Sequence, residues 1–243
     1  MTPSISELWV YLAASPLLGL TFTLLAYQGA LLINKRCNAN PLANPVLLAV
    51  AALVITLWAT GTPYRTYFEG AQFVHFLLGP ATVALAIPLY AQLGRLKRMA
   101  VPLLVALLAG SITAACSAVL IGHLLGASEA TLFSLAPKSV TTPIAMGIAE
   151  RLGGLPSLTA VLVILTGILG AVGAQGLYAV LRIKDPAIRG FALGTASHGI
   201  GTARAFQVSE QTGAFAALAM GLNGLVTALL LPWLVPPLLR WLG

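Results

Sequence analysis

The chain has 243 residues, of which 58% are hydrophobic and only 8% charged, and its mean hydropathy is +0.94. So little charge excludes a water-soluble globular domain and reads as a polytopic integral membrane protein. The formal net charge of +7 does not argue for nucleic acid, because the basic residues lie in short clusters between apolar runs and no basic face carries interleaved aromatics.

At roughly 20 residues per crossing plus loops, this length allows about six to eight membrane elements in one domain. Met1 to Glu7 carries no basic segment, and the first apolar run is too long for a signal peptide, so it is expected to stay as the first span. Apolar runs follow at about residues 8 to 33, 43 to 60, 70 to 93, 101 to 126, 155 to 181 and 213 to 239. The third run contains Gly79-Pro80 and then Pro88, which predicts a kink. That kink reads either as scaffold or as a way to turn Thr82 and a freed carbonyl near Phe76 toward a cavity. Basic clusters after the first run (Lys35, Arg36), the third (Arg95, Lys97, Arg98) and the run ending near 181 (Arg182, Lys184, Arg189) should be cytoplasmic.

Two polar stretches interrupt the apolar pattern, Ala136-Pro137-Lys138-Ser139-Val140-Thr141-Thr142-Pro143 and Thr195-Ala196-Ser197-His198-Gly199-Ile200-Gly201-Thr202. Unwound backbone at membrane depth is tolerated only against protein or a water-filled cavity, so both should line something. The segments holding them, about 129 to 151 and 187 to 210, divide into halves of about ten residues, or about 15 Å of helix. Such halves fit a re-entrant hairpin or a broken crossing helix. The basic clusters favour hairpins, because a complete crossing at 129 to 151 would strand Arg182, Lys184 and Arg189 outside.

Sliding the sequence by 60 positions places Ala136, Thr142, Ala145, Glu150 and Gly153 on Ala196, Thr202, Ala205, Glu210 and Gly213, and Lys138 on His198. Leu158, Leu162, Leu165 and Leu169 likewise fall on Leu218, Leu222, Leu225 and Leu229. A repeat of one hairpin and one crossing is inverted in the membrane, a pattern found in secondary transporters. The expected fold is therefore all-α, with about six full spans and two broken or re-entrant hairpins forming an inverted repeat. It is one membrane domain, 1 to 243, made of a four-span part (1 to 126) and two hairpin-plus-span repeats (127 to 183 and 184 to 243).

The candidate substrate-binding residues cluster at the breaks. Lys138 is either a cationic contact for an anion or a snorkelled or Glu-paired structural lysine. His198, among glycines that let backbone approach a ligand, either contacts an anion or couples protons, or is a plain interhelical hydrogen bonder. Arg204 is placed on the first turn of the following half-helix, where a guanidinium could fork a carboxylate. Ser139, Thr141, Thr142, Ser197, Gly199, Gly201 and Thr202 supply hydroxyls or open backbone, Asn223 a second wall, and Gly79, Pro80, Pro137 and Pro143 the helix breaks. Glu150 and Glu210 read as caps or ion-pair partners near the surfaces. His75, His123 and His198 lack ligand-like spacing, Cys37 and Cys116 lack a metal pattern, and no nucleophile set occurs. No enzyme, cofactor or metal is expected.

The segments Pro137 to Ala145, Gly194 to Ala203 and Leu78 to Tyr90 strongly resemble the LrgB/CidB family, and the resemblance runs from about residue 10 onward. It implies a multi-pass protein of the bacterial inner membrane in a family termed antiholin-like, whose members affect murein hydrolase activity and autolysis. It also implies a smaller LrgA/CidA-type membrane partner. A plastid relative translocates glycolate and glycerate, and bacterial relatives are linked to pyruvate or other short carboxylates. The expected function is a secondary transporter of small monocarboxylates by alternating access, with an antiholin-like regulator or pore component as the alternative. A proton or sodium ion for coupling, and a homodimer, are expected by analogy with transporters in general.

Overall fold

The computed structural model describes residues 16–37, 40, 43–77, 80 and 83–242, and among them every regular element is a helix. The chain forms two compact units, Met1–Ala84 and Leu85–Gly243.

In the first unit, α1 (Pro16–Arg36) packs on α2 (Pro45–Thr60) and α3 (Tyr64–Phe76). Asn44 caps α2 by accepting from Val46 N and Leu47 N at 2.9 and 3.2 Å, and Pro45 fits the first turn, where no amide donor is needed. Gly61, at φ 64°, closes α2 in the left-handed conformation that glycine adopts without steric cost. Thr23 on α1 and Tyr67 on α3 share a hydrogen bond of 2.7 Å.

The second unit holds α4 (Ala86–Ala91), α5 (Leu93–Arg98), α6 (Ala100–Leu124), α7 (Glu129–Leu135), α8 (Thr142–Leu152), α9 (Pro156–Val180), α10 (Pro186–Val208) and α11 (Glu210–Leu242). Residues four apart on α6 and on α11 form facing stripes, as helical periodicity requires. Leu103 and Leu107 join Phe215 and Ala219 in one buried cluster, while Ala115 and Val119 join Leu231 and Val235 in another. The two helices therefore run in the same direction. The first cluster also takes Ala187 and Phe191 from α10, and the second takes Ala136 and Ile148 from the segment of α7 and α8.

Both interrupted segments fold back on themselves. In α10 the reversal is at His198, with φ 41° and ψ −131°. Leu193 and Ala205 share a buried cluster with Ala174, Tyr178 and Ala216, although a straight helix would hold them about 18 Å apart. In the first segment, turns at 136–139 and a bend at Val140 separate α7 from α8. The Leu155 amide, just past α8, donates to Ser134 Oγ on α7 at 2.7 Å, tying the outgoing arm to the incoming one. The second reversal thus packs along the first halves of α6 and α11, and the first reversal along their second halves.

Among the described residues, four helices are long and apolar enough to cross a membrane, Leu17–Arg36, Ala100–Leu124, Pro156–Val180 and Glu210–Leu242, and Pro45–Thr60 is a shorter apolar helix. The third run, 70 to 93, for which a kink is expected, is not one continuous helix among the described residues. The helix α3 ends at Phe76, and α4 and α5 are six residues each. Prolines account for part of this, because each lacks the amide donor a helix interior needs, and Pro88 falls in the first turn of α4. Pro80 is exposed, whereas Gly79 and Thr82 lie outside the described residues.

Candidate functional site

Asn223 sits midway along α11, 1% exposed, between the two apolar clusters. Its Nδ2 donates to Ser139 O of the first reversal at 3.2 Å and to Thr195 O, just before the second, at 2.9 Å. Its Oδ1 accepts from Ser111 of α6 at 2.5 Å and from Thr227 at 3.4 Å. One amide thus ties both reversals to two long helices. A buried amide must fill its hydrogen-bonding capacity, and this one fills it with protein groups. It acts as a clasp between the segments rather than as an open wall.

The reversals also meet on α9. Val140 and Ala145 pack on Val163, whose carbonyl accepts from His198 Nε2 at 3.0 Å. The Lys138 ammonium lies within electrostatic reach of the His198 ring, and it contacts Ser139 Oγ at 3.5 Å. Gly167 and Gly170 of α9 make room for this approach. A Cβ on Gly167 would stand 2.8 Å from the His198 ring, and one on Gly170 would overlap Ser197 Oγ. Ser197 is fully buried, and its hydroxyl has no hydrogen-bond partner among the described residues. Thr202 donates to His198 O at 2.8 Å, and Gly199 faces Met220.

Lys138, Ser139, Ser197 and His198 are therefore brought to one place, with Asn223 holding it. Thr141 occupies the N-cap position of α8 without a side-chain capping bond, and Thr142 and Pro143 occupy its first turn, so Pro143 starts a helix rather than breaking one. Pro137 lies inside the turn and is buried. Gly201 packs under the reversal, where a Cβ would stand 2.8 Å from Leu193 O. Arg204 is not at this meeting point. It lies in the second turn beyond the kink, donates from Nη1 to Gln207 Oε1 at 3.0 Å, and lines a separate cavity with Arg189. Glu150 and Glu210 are both exposed, and Glu210 occupies the first turn of α11, where a carboxylate suits the helix dipole. Among the described residues no cluster of three metal-binding side chains occurs.

The sequence reading missed Ser111, Val163 and the paired Gly190 and Gly194, at which α10 comes against the backbone of Thr212 and Ala216. The G-x-x-x-G spacing at 190 to 194 was a readable sign of close helix packing. No local pattern marks Ser111, whose partner is 112 positions away.

The positive φ of His198 yields a prediction. A side chain in that region costs about 1–3 kcal/mol, which glycine avoids. His198→Ala keeps the strain and loses the Val163 bond, whereas His198→Gly loses the bond but relieves the strain. The glycine variant should melt above the alanine variant in detergent micelles; equal or reversed midpoints would show that the backbone there is unstrained.

Helices of spanning length, a largely apolar exterior and polar groups gathered where two folded-back segments meet define a multi-pass, all-helical membrane protein. The chain belongs to the LrgB-like family, whose model matches residues 23–236. Uncharacterized protein YwbG of Bacillus subtilis (strain 168) is 38% identical over 219 residues, covering 90% of this chain and 97% of that relative. Antiholin-like protein LrgB of Bacillus mycoides (strain KBAB4) is 33% identical over 223 residues, covering 91% of this chain and 96% of the relative. The protein of the same name from Bacillus cereus (strain B4264) gives the same figures. No solved structure matches.

Proposed function

We propose that this chain is an antiholin-like protein of the bacterial inner membrane that works beside a smaller holin-like membrane partner. The observation supporting this most directly is its likeness, over nine-tenths of its length, to relatives named antiholin-like protein LrgB. Expressed with a holin-like partner in cells deleted for both, it should delay lysis and lower murein hydrolase activity. Unchanged lysis timing, with the chain verified in the membrane, would contradict the reading.

A second reading, a carrier of small monocarboxylates such as glycolate, glycerate or pyruvate, is favoured by one observation. Lys138, His198 and the buried Ser197 hydroxyl gather where two reversals meet, halfway along α6 and α11. In this reading the segments enter the membrane from opposite faces as re-entrant hairpins of an inverted repeat. The helices α1, α2, α6, α9 and α11 cross, and the basic clusters require one more crossing in the sequence between α2 and α6. Cations and hydroxyls at the meeting point would bind the carboxylate, and movement of the hairpins against a scaffold would expose it to each side in turn. Coupling to a proton or sodium gradient and a homodimeric assembly belong to the same reading.

The test is uptake of radiolabelled glycolate, glycerate and pyruvate into proteoliposomes. Saturable uptake, reduced about tenfold or more in Lys138→Ala and His198→Ala, is the expected result. Absent or non-saturating flux, indifferent to both changes, would leave the antiholin-like reading alone.

A further inference from the structure

The end of the second unit at which α6, α10 and α11 begin gathers positive charge. Arg95 on α5 pairs at 2.5 Å with Asp185, the residue that caps α10, and Leu96 and Met99 pack on the buried cluster that holds Leu103, Ala187 and Phe191. These contacts lay the last turn of α5 beside the loop between α9 and α10. Lys97 and Arg98 therefore stand within three residues of one member of the ion pair, and Arg182 and Lys184 within three of the other. All four side chains are exposed, and among the described residues none has a carboxylate partner. Asp185 is already taken by Arg95, which leaves the exposed Glu210, at the start of α11, as the other acid of this end. At the opposite end of the unit the signs balance, with Glu129 and Glu150 accompanying Arg151 and Arg240.

Arg182 is held at this rim against the local backbone preference. It sits just past α9 at φ 55°, its amide donating to Ala179 O at 3.2 Å and the following amide, of Ile183, to Tyr178 O at 2.9 Å. The helices α2, α6 and α8 close with the same pair of bonds, and each puts glycine at the left-handed position, Gly61, Gly126 and Gly153. A Cβ is crowded in that region and glycine is not, so arginine is the costlier choice. Strain of this kind points to a use for the side chain. Nothing inside the fold supplies one, because the Arg182 guanidinium makes no hydrogen bond or ion pair among the described residues.

The surroundings of these cations fit a lipid. The helices α6 and α9 have 25 residues each, and at about 37 Å they are longer than the roughly 30 Å hydrocarbon layer. Their ends therefore reach headgroup level, and the bases lie just before the start of α6 and just after the end of α9. Val101, Val180 and Leu181 are exposed beside them, so apolar surface for acyl chains adjoins charge for a phosphate. A soluble acidic partner would use the charge but not this border. Cations without counter-charges repel one another, and headgroup phosphates placed among them turn repulsion into attraction. We propose that Lys97 and Arg98 of α5, with Arg182 and Lys184 of the loop after α9, form a binding surface for the headgroup phosphates of anionic phospholipids. It is separate from the meeting point of the reversals and holds under either functional reading.

The full chain in detergent micelles is mixed with equal amounts of phosphatidylglycerol and phosphatidylcholine, and the lipids that stay bound are counted by native mass spectrometry. Wild type should retain phosphatidylglycerol over phosphatidylcholine by about tenfold or more, and the preference should shrink as salt is raised. Lys97→Gln with Arg98→Gln, and Arg182→Gln with Lys184→Gln, should each cut that preference about threefold or more. Arg151→Gln with Arg240→Gln, at the opposite end, should leave it unchanged. Arg182→Gly separates side chain from backbone: it should melt at or above wild type without added lipid and still bind less phosphatidylglycerol, whereas Arg182→Lys keeps the preference. Equal retention of the two lipids by wild type overturns the proposal. So does a preference that survives both paired changes or Arg182→Gly, or one that falls as far when the opposite end is changed.

Discussion

Asn223→Leu is expected to destabilise the protein by about 2–4 kcal/mol and to free the two reversals from each other. The leucine has comparable bulk, so little of this loss comes from a cavity. It comes from four groups that each lose a bond, Ser139 O, Thr195 O, Thr227 Oγ1 and Ser111 Oγ, the last of which keeps Leu107 O at 2.8 Å. A buried polar group left unsatisfied costs about 1–3 kcal/mol, but local rearrangement recovers part of that, and hydrogen bonds inside membrane proteins average about 0.6 kcal/mol in double-mutant cycles. The estimate lies between these limits. Unfolding in mixed micelles, combined with Ser111→Ala in a double-mutant cycle, checks it. A coupling of about 1 kcal/mol between the two positions is expected, since they share one bond. Additive effects would mean that Asn223 and Ser111 act independently.

Gly194→Leu should be the most damaging single change, costing about 3 kcal/mol or more. Even a methyl at Gly194 would overlap the backbone of Ala216, 2.7 Å from its carbonyl carbon, and one at Gly190 would stand 2.9 Å from that of Thr212. Backbone cannot swing aside as a side chain does, so α10 and α11 must separate along their shared face, and Ala187, Phe191, Phe215 and Ala219 lose their packing. Gly199→Ala provides the internal comparison. Its nearest neighbour is the flexible Met220 sulfur at 3.8 Å, so it should change stability by less than about 1 kcal/mol. Thermal unfolding of both variants in micelles decides the matter; a Gly194→Leu protein as stable as Gly199→Ala would refute the close approach of the two helices.

The positions of both reversals were legible because polar, proline and glycine residues interrupt apolar runs that have no other reason to stop. The register that lays Lys138 on His198 also marks where each chain turns. What joins the reversals was not legible. Asn223 looked like one polar residue in a long apolar span, and nothing near it announces partners 84 and 28 positions away. Arg204, six positions past the turn, lines a cavity with Arg189 of the opposite arm, a pairing across the fold-back that no local spacing marks. In the third apolar run Gly79-Pro80 and Pro88 announced an interruption, but hydropathy alone gave no sign that α3 ends as early as Phe76.

The most direct test of this account is the sidedness of four introduced cysteines, in a background lacking Cys37 and Cys116. Glu129→Cys and Leu155→Cys flank the first folded-back segment, and Lys184→Cys and Glu210→Cys flank the second. All four native side chains are exposed, so a membrane-impermeant thiol reagent can report each position in oriented vesicles. Two segments that each return to the face they left require 129 and 155 to label together from one side, and 184 and 210 together from the other. Labelling of 129 and 155 from opposite sides, or of 184 and 210 from opposite sides, would make that segment a crossing helix and contradict the arrangement in which the two reversals meet over Asn223.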